Sequence, residues 1–413
     1  MRNLWMLAQA TTRKTKTDIK HFFLPQLVTK EQCAAAMQHP GTSSQSEASA
    51  LVKGKAVMSM DEAQPRLSEP QASQLLGRLF GLTVSLLRPL PSYHDQNFHV
   101  VAGEGGQYLL KITNCVFSQN VDRYELQNHA LAFLHQHGLP VQTVLPTLTG
   151  TMMSLEDIDC GSGSQKYLVR LLTFLPGTTI ANIHCSPRML YEVGRMAATT
   201  NTMLQKMEHP KLWALKRENN PWDLGNVHLL EPYLPALEGE DELRLVKDVM
   251  MMFKTEVLVH VSSFRKSPIH GDFNDQNIIV EPDSPIGYRI SGILDFGSMN
   301  YGYSIFELAI TIMYMMIESQ SPLEVGGAVL AGWESILPLD EVERDALYTL
   351  VLVRFCQSLV MAHHTAALRP ENKDYLMITA RKGIRLLPLL WKLGKEAVLK
   401  KWVDDAREYS DRK

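Results

Sequence analysis

Apolar and polar positions follow a β-type pattern in the first part of the chain and a helical pattern beyond Gly177. Ser68 and Gln71 match a helix-start capping box, and apolar residues at helical spacing follow until Gly81. Three short β-rich runs come next, at Val84–Leu90, Asn97–Ala102 and Tyr108–Ile112. The pattern predicts a helix that begins near residue 69, followed by a three-stranded antiparallel meander.

The later part of the chain is mainly helical. One more helical stripe ends at Gly138, and two strand-like runs follow at Val144–Leu148 and Tyr167–Phe174. Long periodic stretches then cover Pro187–Met207, Leu229–Phe264, Ser304–Ser319, Glu341–Leu368 and Tyr375–Arg407. The only clear β interruption lies near residues 268–295. We therefore predict an α+β fold of two lobes, a small antiparallel β-rich N-lobe and a larger, mainly helical C-lobe.

Length and composition fit a two-lobed globular chain: 413 residues, 45% hydrophobic and 21% charged. We expect an N-terminal extension at residues 1–62, the N-lobe at 63–170 and the C-lobe at 171–413. The extension is Ser, Gln and Gly-rich from Gln38 to Lys55, which favours disorder. Its first twenty residues hold five basic residues and one acidic residue, so a mitochondrial transit peptide is the alternative.

Charge and cysteine usage narrow the class of partner. The 41 basic and 44 acidic residues leave a net charge of -3, which gives no reason to expect nucleic acid. Five scattered cysteines without a CxxC pair indicate neither a disulfide framework nor a zinc site, and favour a reducing, cytoplasmic location.

The apolar stretch Leu308–Ile317 is too short to cross a membrane, so we expect no membrane contact. Nothing in the sequence indicates the oligomeric state.

Two polar clusters in the β interruption carry the chemistry of phosphoryl transfer. Asp272 precedes Asn277 by five residues, the spacing of a kinase catalytic loop, in which the Asp receives the substrate proton and the Asn binds metal. Asp295 ends an apolar run and is followed by Phe296 and Gly297, where a second metal-binding carboxylate is expected. The alternative is an Asp and Asn-rich turn between two strands.

The segment that begins at His270 resembles the HGDxxxxN motif of the aminoglycoside phosphotransferase and choline kinase superfamily, which has a protein-kinase-like fold. The resemblance implies that Asp272 is the catalytic base, that Asn277 and Asp295 bind Mg²⁺, and that His270 and Gly297 support the loop. A base role for His270 is the alternative. Ser298 departs from the pattern, because an acidic residue is expected after Asp-Phe-Gly.

The same template requires a lysine in the third strand to bind the nucleotide phosphates. Lys111 lies between apolar residues there, and we expect Glu125 of the next helix to pair with it. A lysine that snorkels to solvent is the alternative. The turn after Leu90 takes the position of the phosphate-covering loop but lacks glycine. The other candidate nucleotide-binding residues are Ser92, Asn97 and Arg170.

Longer stretches from about residue 65 onward, such as 90–100, 167–177 and 354–362, resemble the members of this family that phosphorylate 5-hydroxy-L-lysine. This resemblance implies GTP-dependent phosphorylation of the side-chain hydroxyl, giving 5-phosphooxy-L-lysine and GDP, in hydroxylysine catabolism in the cytoplasm. ATP as donor, and homoserine, choline, ethanolamine or an aminoglycoside as acceptor, remain open. An inactive pseudokinase that binds nucleotide or a partner is the alternative from another class.

An acceptor with two ammonium groups and a carboxylate should contact acidic side chains and a cation in the C-lobe. The acidic candidates that we select are Asp223, Glu307, Glu371 and Asp374. Arg354 and Arg381 are candidates for the acceptor carboxylate. For each of them, a structural or solvated charge is the alternative.

Overall fold

The computed structural model describes residues 63–161, 163–217, 219–284 and 287–411. The predicted disordered extension and its transit-peptide alternative, at residues 1–62, lie outside the described residues.

The N-lobe begins with the predicted helix. In α1 (Glu69–Phe80), Ser68 and Gln71 form the capping box, and Gly81 ends the helix at a φ of 69°. The strands of this lobe are β1 (Val84–Leu90), β2 (Gln96–Ala102), β3 (Gln107–Thr113), β4 (Val144–Leu145), β5 (Ser154–Asp159) and β6 (Ser164–Thr173). Helix α2 (Val121–Gln136) lies between β3 and β4 in the chain.

The N-lobe strands form one antiparallel sheet in the order β1-β2-β3-β6-β4, with β5 also paired to β6. Side chains of α1 and the sheet share an apolar core that includes Leu76, Phe98, Leu110 and Val169. Strand β6 continues to Thr173, so the predicted lobe boundary at residue 170 falls inside this strand.

The C-lobe is mainly helical, as predicted. Its helices are α3 (Pro187–Gln205), α4 (Glu240–Met252), α5 (Ser304–Glu318), α6 (Pro322–Glu334), α7 (Glu341–Leu368), α8 (Lys373–Leu376), α9 (Ile378–Leu393) and α10 (Lys395–Asp411). Among the described residues, α7 alone is long and apolar enough to cross a membrane, but 94% of its most apolar window is buried inside the protein. We interpret α7 as the central core helix of the C-lobe.

The β insert positions the two polar clusters. Its strands are β7 (Thr178–Thr179), β8 (Lys266–Ile269), β9 (Ile278–Asp283), β10 (Gly287–Ile293) and β11 (Asn300–Tyr303). They form two small antiparallel sheets, β10-β9-β7 and β11-β8. The loop that contains Asp272 joins β8 to β9, and Asp295 follows β10. Both polar clusters therefore lie at strand ends in this insert.

Two predicted helices are wrong in extent. Pro232 and Pro235 lie in a 3-10 segment, so the predicted helix at 229–264 is reduced mainly to α4. Gly394, at a φ of 79°, separates α9 from α10 in the stretch predicted as one helix. Strand β5, whose positions alternate between half-buried and exposed, was not predicted.

Helix α6 was also not predicted, and its glycines explain why. A Cβ at Gly332 would lie 1.9 Å from the carbonyl oxygen of Tyr191, and one at Gly194 would lie 2.0 Å from that of Val329. Helices α3 and α6 therefore approach each other backbone to backbone, which requires glycine at both positions. In α6, Gly332 also weakens the helical pattern of the sequence, because glycine is a poor helix former.

Candidate active site

The loop between β8 and β9 is held by backbone contacts of His270. Its Nε2 donates to the Leu294 carbonyl oxygen at 2.8 Å, and its Nδ1 accepts from the Asp272 backbone N–H at 3.3 Å. Gly271 has a φ of 79°, and a Cβ there would lie 2.6 Å from the Asn300 side chain. The ring thus ties the loop to the end of β10, which is the geometry that a loop-supporting role requires.

Glu307 lies beneath this loop. Its carboxylate accepts the Gly271 backbone N–H at 2.9 and 3.2 Å, and the residue is 1% exposed. Burial raises the pKa of Glu307, while His270 and the backbone N–H groups of the loop oppose the rise. The Glu307 carboxylate thus supports the loop, because buried backbone donors need a hydrogen-bond acceptor. Its predicted contact with the phosphoryl acceptor stays a prediction.

Asp272 and Asn277 contact each other within the loop. The Asn277 Nδ2 donates to the Asp272 carbonyl oxygen at 3.0 Å and lies 3.4 Å from Asp272 Oδ2. Asn274 caps the turn by accepting the Asn277 backbone N–H at 2.9 Å. The motif spacing therefore places a carboxylate and an amide side by side.

Asp295 follows the end of β10, which is bonded to the loop that contains Asp272 and Asn277. The Leu294 N–H donates to the Asn277 carbonyl oxygen at 2.8 Å, so Asp295 follows directly after a residue bonded to the loop. Asp295 has a left-handed φ of 51°, and its Oδ1 accepts the Gly297 N–H at 3.1 Å. Its side chain is half exposed. Such strained conformations of non-glycine residues often occur at functional sites.

Lys111 of β3 lies between two carboxylates. Its Nζ is 3.2 Å from Asp295 Oδ1 and 3.2 Å from Asp95 Oδ2. Burial opposes the ammonium charge, but Asp295 and Asp95 outweigh it and raise the pKa of Lys111. The Lys111 ammonium in turn lowers the pKa of Asp295. Lys111 and Asp295 are therefore both ionised at neutral pH and form a charged centre between the lobes.

The predicted pair of Lys111 with Glu125 is wrong. Glu125 binds Lys211 at 2.6 Å, and its side chain is about half exposed. The buried ammonium is instead neutralised by Asp95, from the loop before β2, together with Asp295. The residue types of this loop predict only phosphate contacts, so the role of Asp95 was not predicted.

Helix α2 contacts the site through other side chains. The Arg123 guanidinium donates to the carbonyl oxygens of Gly297 at 3.1 Å and Met299 at 3.0 Å. Arg217 also donates to the Gly297 carbonyl oxygen, at 2.7 Å. Gly297 thus anchors the turn after Asp295 through its backbone, a contact that residue types alone do not reveal.

The other predicted nucleotide-binding residues belong to the N-lobe: Ser92 lies in the loop after β1, Asn97 in β2 and Arg170 in β6. Ser92 and Asn97 line a cavity of about 320 Å³, and Asn97 pairs with Lys111 across β2 and β3. Arg170 pairs with Lys111 across β3 and β6 but is 3% exposed, and it donates to Asn128 Oδ1 at 3.0 Å. Burial lowers the pKa of Arg170. Their contact with nucleotide stays a prediction.

The loop between β1 and β2 reaches the C-lobe through Tyr93. Its hydroxyl bonds to the Thr365 hydroxyl, and its carbonyl oxygen accepts from the Arg369 guanidinium at 2.7 Å. The Tyr93 ring packs edge-on against Trp222, with centroids 6.3 Å apart. These contacts join the loop to the C-lobe.

The remaining acceptor candidates divide into two groups. Asp223 accepts the Gly225 N–H at 2.9 Å and caps a helical turn, and Asp374 is 94% exposed beside Arg381. Their contact with the phosphoryl acceptor stays a prediction. The side chain of Glu371 lies outside the described residues. Arg354 does reach the site, where its Nη2 donates to Asp272 Oδ1 at 2.8 Å.

Asn277 and Asp295 fit a magnesium site shared with nucleotide phosphates. Both offer oxygen ligands, and the lowered pKa of Asp295 keeps its carboxylate charged. Mg²⁺ commonly uses one or two carboxylates plus substrate phosphates. Among the residues that the structure describes, no group of three or more His, Cys, Asp or Glu side chains forms an independent metal cluster.

A model of the phosphotransferase enzyme family APH matches residues 86–342, which include Lys111, Asp272, Asn277 and Asp295. The chain belongs to this family. The predicted family and the protein-kinase-like fold are thereby confirmed, and the chain is a small-molecule kinase that phosphorylates a hydroxyl group.

Two proteins that share one name are similar to most of this chain. A protein of Danio rerio named hydroxylysine kinase is 55% identical over 352 residues, which is 85% of this chain and 99% of the relative. One of Bos taurus with that name is 48% identical over 370 residues, 87% of this chain and 98% of the relative.

Solved structures of APH-like kinases share the fold. A microcompartment-associated aminopropanol kinase superposes with a TM-score of 0.62 at 17% identity, covering 80% of this chain and 98% of the other. The amicoumacin kinase hAmiN, in complex with AMP-PNP and Ca²⁺, has a TM-score of 0.58 at 16% identity, covering 81% and 94%.

Proposed function

We propose that this kinase transfers the γ-phosphoryl group of GTP to the side-chain hydroxyl of 5-hydroxy-L-lysine. The supporting observation is the assembly of Asp272, Asn277, Asp295 and Lys111 at one place between the lobes. The acceptor is supported by relatives named hydroxylysine kinase, which are 44–55% identical over most of the chain.

Each residue has a role that follows from its position. Asp272, at the surface of the catalytic loop, orients the acceptor hydroxyl and takes its proton. Lys111, held between Asp95 and Asp295, contributes positive charge for the nucleotide phosphates. Asn277 and Asp295 would hold Mg²⁺, which would neutralise negative charge on the nucleotide phosphates. The loop with Tyr93 excludes water from this space.

We further propose that the products are 5-phosphooxy-L-lysine and GDP, and that the reaction serves hydroxylysine catabolism in the cytoplasm. The free thiols of the described cysteines fit a reducing compartment: Cys115, Cys160, Cys185 and Cys356. GTP as donor rests on the resemblance to the enzymes that act on this acceptor.

A competition assay tests the assignment of donor and acceptor. The purified protein receives magnesium with GTP or ATP, and a mixture of hydroxylysine, homoserine, choline, ethanolamine and an aminoglycoside. We expect phosphohydroxylysine as the main product, with GTP the better donor. A different phosphorylated acceptor would overturn the substrate assignment, and a clear preference for ATP would overturn the donor.

A further inference from the structure

Arg354 of α7 contacts the carboxylate that we assign as the catalytic base, although 82 residues separate them in sequence. The Arg354 Nη2 donates to Asp272 Oδ1 at 2.8 Å. The Arg354 side chain is 3% exposed, whereas that of Asp272 is 25% exposed. A buried cation therefore contacts one oxygen of a carboxylate that remains partly exposed.

The surroundings of Arg354 leave its guanidinium little freedom. Nη1 donates to the Trp222 carbonyl oxygen at 3.2 Å and to Gln357 Oε1 at 3.4 Å, and Nη2 also donates to the Tyr314 hydroxyl at 3.2 Å. The guanidinium carbon lies 5.0 Å from the centroid of the Trp222 ring and 5.3 Å from that of Tyr314. Two aromatic rings and four hydrogen bonds fix its position.

These contacts contradict the expectation that Arg354 binds the acceptor's carboxylate. Both terminal nitrogens already donate to protein oxygens, and the side chain is buried. Binding a substrate carboxylate would require Arg354 to give up Asp272 and leave that carboxylate without its partner. The geometry favours a contact to the protein's own carboxylate.

We propose that Arg354 is a positioning residue that holds the Asp272 carboxylate in the orientation needed to receive the acceptor proton. This inference rests on the proposed function, because it assigns Arg354 to the same reaction. Arg354 does not touch the acceptor and acts through Asp272 Oδ1, which leaves Oδ2 to face the acceptor hydroxyl. A planar guanidinium, which donates to Asp272 while its other N–H groups are held by Trp222, Gln357 and Tyr314, suits this task better than the single ammonium of lysine.

The first test compares Arg354→Gln and Arg354→Lys with wild type in the transfer reaction. A displaced catalytic group costs about 100-fold in rate, so we expect kcat to fall by about that factor in Arg354→Gln and by less in Arg354→Lys. The nucleotide Kd, measured by direct titration, should not change. Arg265→Gln is the matched control: it leaves buried Glu343 without its cation at the start of the same helix, so stability should fall while kcat of the folded protein stays within about twofold.

A double-mutant cycle separates positioning from a merely structural role. In single-turnover reactions with Asp272→Asn, adding Arg354→Gln should reduce the rate by less than about threefold, because Arg354 acts through the carboxylate already removed. If Arg354→Gln does not fold, Arg354→Ala with added guanidinium replaces it, and we expect the cation to restore part of kcat.

Several results would overturn the inference: a kcat within about threefold of wild type in Arg354→Gln, independent and multiplicative losses in the cycle, or no response of Arg354→Ala to guanidinium. Absence of transfer by the wild-type protein to any acceptor would instead overturn the proposed function. The two failures are thus distinguishable.

Discussion

Replacing Asp95 with Asn should impair the enzyme far more than replacing Glu125 with Gln. Kinase templates assign the lysine's partner to the helix after β3, but here Asp95 and Asp295 flank Lys111, and Glu125 binds Lys211. Asp95→Asn removes one charge and can keep the hydrogen bond that Asp95 Oδ1 accepts from the Asn114 N–H at 3.1 Å. The variant therefore isolates the charge of Asp95.

The expected magnitude follows from the geometry. Two unit charges 3.2 Å apart attract by about 5 kcal/mol at an effective dielectric constant of about 20, before desolvation is subtracted. Because Lys111 keeps Asp295, we expect a net loss of about 1–2 kcal/mol in nucleotide binding, or about 5- to 30-fold in KM for the nucleotide. The Glu125 pair is solvent-exposed and screened by water, so Glu125→Gln should change KM less than about threefold.

Steady-state kinetics with varied nucleotide and saturating acceptor measures both variants, and thermal melting verifies that each is folded. Lys111→Met serves as the reference for complete loss of the cation. If Glu125→Gln raises KM as much as Lys111→Met does while Asp95→Asn resembles wild type, the assignment of Asp95 is refuted.

Further predictions concern the loop and the turn after β10. Glu307→Ala leaves the buried Gly271 N–H without an acceptor, so we expect the free energy of unfolding, measured with urea, to fall by about 1–3 kcal/mol together with kcat; unchanged stability would contradict the support role. Gly271→Ala places a Cβ on a residue with a left-handed φ and 2.6 Å from the Asn300 side chain, and it should abolish turnover even in folded protein. The Asp295 pKa lies below 3.8 in the folded state, so its contribution to stability is present above about pH 4 and is lost as pH falls further. The Tm difference between wild type and Asp295→Asn should shrink below about pH 4, and a constant difference would contradict this.

Sequence periodicity predicted the elements whose apolar spacing or capping residues are local features of the sequence. Helix α7 was predicted with its observed bounds, and the capping box at Ser68 marked the start of α1. Predictions failed where tertiary contacts decide the structure. Helix α6 contains Gly332 because α3 packs against its backbone, and that contact is invisible in a linear pattern.

In the candidate active site, too, contacts within one loop were predictable and contacts between separate elements were not. The spacing of Asp272 and Asn277 brings them together within one loop, since local geometry suffices. The partners of Lys111 and Asp272 come from distant parts of the chain, Asp95 from the loop before β2 and Arg354 from α7. Charged residues are abundant on helices and turns, so their type alone cannot select which one lies beside a buried charge.

A single-turnover transfer assay shows whether Asp272 serves phosphoryl transfer to 5-hydroxy-L-lysine. Wild type and Asp272→Asn are mixed with radiolabelled [γ-³²P]GTP, magnesium and hydroxylysine, and the labelled amino acid is quantified over time. We expect rapid formation of phosphohydroxylysine by wild type and a rate at least about 100-fold lower for folded Asp272→Asn with unchanged nucleotide Kd. Equal rates for the two proteins would contradict the role of Asp272, and no labelled hydroxylysine from wild type would contradict the proposed reaction.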